Sequence, residues 1–104
     1  MSQDRLQVLL KMLERNPSDP RIHFGLAAEY EKRGDWTNVI ASLEAYLNLT
    51  EDQGNAWGRL GNAYVQTGRI EEAKQAYARG IETAYAHGHP SMASEFEGIL
   101  ADLI

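Results

Sequence analysis

At 104 residues the chain has room for one domain with a modest core, or for a short array of repeats. A hydrophobic share of 43% and a charged share of 24% are those of a folded chain and argue against disorder. The net charge is −5, with ten Lys and Arg scattered among fifteen Asp and Glu, which disfavours nucleic acid or an anionic membrane surface as partner.

Residues 3–15 read as a first helix. Leu6, Leu9, Leu10 and Leu13 recur at i, i+3, i+4 and i+7, the spacing of one buried face. Val8 and Met12 lie off that stripe and make a second, weaker apolar face. Asn16-Pro17 closes the helix, because a proline ring disfavours helical geometry in the residue before it. Asp19 as N-cap and Pro20 at the first helical position open the next helix. Its core face is Ile22, His23, Leu26, Ala27 and Tyr30, and Gly34 ends it. Asp35 caps a third helix with Trp36, Val39, Ile40, Leu43 and Leu47 apolar and Tyr46 beside them. Residues 51–55 form a polar connector, with Thr50 or Asp52 as the cap of the fourth helix.

The fourth and fifth helices meet at a tight turn around Gly68. Trp57, Leu60, Gly61, Tyr64, Ala73 and Tyr77 fall where their facing sides interlock, the small residues sitting where two backbones approach. Glu71 and Glu72 begin the second of these helices, where negative charge complements the helix dipole. It passes Ile81 and runs on to Gly88, a C-terminal cap. His89-Pro90 restarts a last helix carrying the stripe Met92, Phe96, Ile99, Leu100 and Leu103.

Trp57, Leu60, Gly61 and Tyr64, followed by Gly68, Ala73 and Tyr77, resemble the tetratricopeptide repeat, whose 34-residue unit opens W-x2-L-G-x2-Y. A shift of 34 residues sets Leu26 on Leu60, Tyr30 on Tyr64, Gly34 on Gly68 and Val39 on Ala73. The agreement is in side-chain class and helical phase more than in identity. His23 stands where the opening Trp is expected, Ala27 for the Gly and the bulkier Val39 for the small Ala. The resemblance implies an all-α fold, a right-handed α-α superhelix of about six antiparallel helices. Residues 1–104 are then a single domain: a half-repeat helix at 3–15, repeats at 20–53 and 54–87, and a capping helix at 90–104. Truncating Leu60 or Tyr64 to Ala should cost roughly 3–5 kcal/mol.

Reactive chemistry has little support in the sequence. With no Cys, disulfides and thiolate metal sites are excluded. His87 and His89 flank Gly88 without further ligands at metal spacing, and they read as polar residues at a turn. His23 packs in place of the usual Trp, with one ring nitrogen hydrogen-bonded. No nucleophile elbow, zinc-protease helix or phosphate-binding glycine loop occurs. Gly25 and Gly58 lie inside helices without an evident reason. No catalytic residue, cofactor or metal is expected. The apolar runs are too short to span a bilayer, and Met1-Ser2-Gln3-Asp4-Arg5 lacks a leader's basic-then-apolar pattern. A cytoplasmic location is expected.

In the tetratricopeptide family the first helix of each unit lines a concave groove for a peptide or a partner helix. Carried over by position, the groove residues are Arg21, Phe24, Ala28 and Glu31 in one repeat, and Asn55, Gly58, Asn62 and Val65, with Arg59 beside them, in the next. Members that clamp the acidic tails of heat-shock chaperones use Lys, Asn, Asn, Lys and Arg. Here Phe24, Ala28 and Arg59 stand at the first three of those places, so such tails are not expected as ligands. The expected function is binding of a protein or peptide through this groove. The alternative is self-association, as a homodimer or within a longer array, through the terminal helices with Val8 and Met12 at one end and Leu100, Leu103 and Ile104 at the other.

Overall fold

The computed structural model describes residues 4–104. Six helices follow one another: α1 (Arg5–Arg15), α2 (Pro20–Lys32), α3 (Trp36–Leu49), α4 (Asn55–Gln66), α5 (Ile70–Ala86) and α6 (Pro90–Leu103). There is no strand among the described residues. The expected start of the first helix at Gln3 lies outside them. The helices group into two compact units, one ending at Thr50 and the other spanning Glu51–Ile104.

In the first unit, Asp4 caps α1 by accepting a hydrogen bond from the Leu6 amide at 3.0 Å. The leucine stripe turns inward. Leu9 is buried with Ile22 and Leu26 of α2, and Leu6, Leu10, Leu13 and Tyr30 pack around them. Gly25 has its reason here: a Cβ on it would press to 3.3 Å from Leu9 Cδ2, so its absence lets α1 approach. Glu29, buried in the same seam, gathers cations from both helices. Arg5 Nε of α1 and Lys32 Nζ of α2 each lie 3.2 Å from its carboxylate. Arg33, just past α2, reaches both Glu29 and Asp4. A buried carboxylate must be paired to remain charged, and this pairing also fixes α1 to α2.

Asp19 caps α2 with Pro20 behind it, as the spacing predicts. Its carboxylate also takes the Arg21 guanidinium, whose proximity holds the Asp19 pKa below the usual carboxylate value. His23 is half-buried, and one ring nitrogen lies 2.8 Å from the Pro17 carbonyl oxygen. Gly34, after α2, adopts φ +69° and lets Asp35 cap α3. Against α2, α3 buries Val39, Ile40 and Leu43, with Val39 and Leu43 fully enclosed.

In the second unit the N-cap position of α4 is held by Gly54 and by neither expected residue, but the start of the helix is still tied down by Asp52. Its carboxylate accepts from the amides of Gly54 and Ala56, each at 2.8 Å, while Thr50 closes α3. Ala56, Leu60, Ala63 and Tyr64 of α4 are buried against Ala73, Ala76 and Tyr77 of α5. A Cβ on Gly61 would come within 2.7 Å of the Tyr77 ring, which accounts for the close-approach glycine. Trp57 is half-buried, with the Arg79 guanidinium carbon 4.8 Å from its ring centroid. Arg69 lies over the Tyr64 ring at 4.7 Å and pairs with Glu72, whose pKa it lowers. The last helix, α6, packs on α5 and buries Ala93 and Phe96.

Candidate protein-interaction surfaces

On α2 the residues expected to line a groove divide by what they touch. Arg21 is exposed, but its Nε and Nη2 are directed onto Asp19 in its own turn, at 3.1 and 2.9 Å. Phe24 is half-buried, and its ring lies 5.0 Å from that of Tyr46 on α3, tilted by 48°. An aromatic pair at that separation and tilt is favourable beyond its burial. Phe24 therefore does not point away from the second helix of its hairpin, as a purely groove-facing residue would. Ala28 and Glu31 are half-buried further along α2. The surface of this unit is a partly apolar strip, Phe24 with Tyr46 and then Ala28 one turn along α2.

On α4, Asn55 is exposed, and Arg59, Asn62 and Val65 are half-buried. Gly58 corrects the expectation. It is buried, and a Cβ on it would collide with the Phe96 ring of α6. Gly80 of α5 holds the same ring from the other side, its would-be Cβ 3.0 Å from Phe96 Cδ2. Tyr77 adds an aromatic contact, its centroid 5.6 Å from that of Phe96. Gly58 is thus the floor of a slot filled by the chain's own C-terminal helix, and it is no open groove position. The slot could have been found in the sequence. The 34-residue shift that aligns Leu26 with Leu60 sets Phe24 on Gly58 and Tyr46 on Gly80, so two aromatics are lost together.

Two of the histidines weighed for reactive chemistry, His23 and His89, have structural partners. His89 shares a hydrogen bond with Gln53 at 2.7 Å, and the Tyr85 hydroxyl donates to Glu97 at 3.2 Å. That bond, and the Glu97 charge, raise the Tyr85 pKa. Burial pushes the Tyr77 hydroxyl up as well, helped by nearby Glu95. Among the described residues no three His, Cys, Asp or Glu side chains are grouped to hold a metal, and no helix is long and apolar enough to cross a membrane.

The family model described as tetratricopeptide repeat matches residues 30–89, more than half of the chain. The chain belongs to the tetratricopeptide repeat family. TPR proteins of this fold are non-catalytic protein-interaction modules, and this chain is no enzyme. It is 28% identical over 98 residues to a TPR repeat-containing protein of Pseudomonas aeruginosa, covering 94% of this chain and 93% of that protein. It is 32% identical over 72 residues to the small glutamine-rich tetratricopeptide repeat-containing protein 2 of Mycosarcoma maydis. That alignment takes in 69% of this chain but only 20% of the longer relative. Among solved structures, PcrH in complex with the chaperone binding region of PopD superposes with a TM-score of 0.84. At 15% identity, over 94% of this chain and 74% of PcrH, that likeness establishes the TPR fold alone.

Proposed function

We propose that this TPR chain holds a peptide segment or a partner helix on the first helix of its repeats, taken as residues 20–53 and 54–87. The half-buried Phe24–Tyr46 pair beside Ala28 carries this reading, because it offers a ligand an aromatic wall next to a small residue. On α4, the half-buried Arg59, Asn62 and Val65 offer a more polar surface with one apolar position. The PcrH complex, in which a TPR fold is seen with a partner's chaperone-binding region, lends the reading support by analogy.

Peptide-display selection on the natural chain tests it, with the selected peptides re-measured on Ala28→Glu and Phe24→Ala variants whose helicity is checked by circular dichroism. Loss of binding on both folded variants supports the strip. Retention on both would remove it.

A further inference from the structure

The first and last helices of the chain each leave one flank uncovered, and the flanks are opposite in charge. On α1, the face turned from Leu9 carries Val8 and Met12, 42% and 45% exposed. Lys11 and Arg15 border them, and the four line a shallow hollow of about 260 Å³. Neither Lys11 nor Arg15 makes an ion pair among the described residues. On α6, Ile99 and Leu103 are half-buried beside Phe96, and helical spacing puts the exposed Glu95 and Asp102 on the same side of the helix. These two acids also make no ion pair among the described residues. One flank is therefore apolar and basic, the other apolar and acidic.

The packing adds a topological match. In both units the helices associate in chain order: α1 packs on α2 that follows it, and α6 on α5 that precedes it. Each hairpin of the chain is a first helix closed by a second, as in α2 with α3 and α4 with α5. Among the described residues the main helix contact of α1 is with α2 and that of α6 is with α5, so each has one side without a partner helix.

We infer that the occupant of each flank is a second copy of this chain, α6 of one copy meeting α1 of the next to complete a hairpin across the contact. Glu95 and Asp102 then face Lys11 and Arg15, around an apolar centre of Val8, Met12, Ile99 and Leu103. The contact joins two different flanks, so copies either pair reciprocally about a two-fold axis or add head to tail as a ring or an open row. It is weakened by salt, since all four charges lie at the solvent edge. It uses neither Phe24 nor Ala28 and stands whether or not the groove binds peptide.

Sedimentation equilibrium over a range of concentrations and salt, on the natural chain and three charge variants, tests the inference. The natural chain should show a mass that rises with concentration at low salt and falls back at high salt. Lys11→Glu with Arg15→Glu should weaken association at least about tenfold, because like charges then face each other. Glu95→Lys with Asp102→Lys should do the same. The variant carrying all four reversals keeps the net charge of −5 and should recover most of the natural affinity, as only a pairing of unlike flanks predicts. A natural chain that stays monomeric throughout overturns the inference. So does a four-site variant as weak as the two-site ones, or an acidic-flank reversal without effect, since pairing of like flanks would give either result.

Discussion

The two hairpins fill the same place in opposite ways. In α2–α3 the 34-residue frame puts Phe24 and Tyr46 at that place, and their rings pack on each other within the hairpin. In α4–α5 it puts Gly58 and Gly80 there, and the aromatic volume arrives from outside, as Phe96 of α6. Each solution closes a gap that close packing would not tolerate. They differ in consequence. A hairpin that supplies its own aromatics keeps an edge of them for a ligand, whereas one with paired glycines becomes a socket and admits a third helix.

The comparison can be broken most directly at Phe96. Phe96→Ala empties the slot between Gly58 and Gly80 and should cost about 3–5 kcal/mol in chemical denaturation. Phe24→Ala, at a half-buried position whose partner ring stays, should cost only about 1–2 kcal/mol. Equal losses would mean that the two places are not built differently.

Gly58→Ala sharpens the contrast. The added methyl displaces Phe96 and should cost roughly 1–3 kcal/mol. Combined with Phe96→Ala, the two losses should fall short of their sum by about 1 kcal/mol or more, because they act on one contact. Simple additivity would separate the glycine from the ring. A smaller effect belongs to the first unit alone. Glu29→Gln should cost about 1–2 kcal/mol, since its cation partners lie toward solvent and can rehydrate. Hydrogen exchange should then quicken in α1 ahead of α3.

The smallest effect is on pH. Arg21 lowers the pKa of Asp19, and Arg69 that of Glu72, from ordinary values of 3.8 and 4.5. Groups with depressed folded pKa values stabilise fully above the unfolded values and lose that contribution as pH falls through the folded ones. Both carboxylates are only partly covered and remain in reach of solvent, so denaturation midpoints should be flat above about pH 5 and decline modestly below about pH 4. Asp19→Asn with Glu72→Gln should flatten that decline.

Most helices are legible in the sequence because their ends carry local chemistry: Asp19-Pro20, Asp35 and the turns at Gly34 and Gly68 each act within a few residues. The leucine face of α1 and the Gly61–Tyr77 approach are likewise readable from periodicity and repeat spacing. The features that stay hidden depend on a partner far along the chain. Gly25 makes sense only beside Leu9, and although the repeat frame shows an aromatic missing at Gly58, it does not show that Phe96 fills the place. Buried Glu29 is hidden for the same reason, because its cations come from two helices. On the candidate surface, residue identities at helical spacing show which side of α2 and α4 to inspect. They do not show that Tyr46 shares the surface with Phe24, or that Arg21 turns onto Asp19.

The origin of Phe96 also bears on the order in which the polypeptide acquires structure at the ribosome. Tyr46 follows Phe24 within the same pair of helices, so the first hairpin can mature as soon as its own residues have emerged. The second hairpin emerges with a hole between Gly58 and Gly80, and stays unfinished until α6 is synthesised. Until α6 docks, the chain exposes an aromatic-sized apolar notch there, open to the wrong guest.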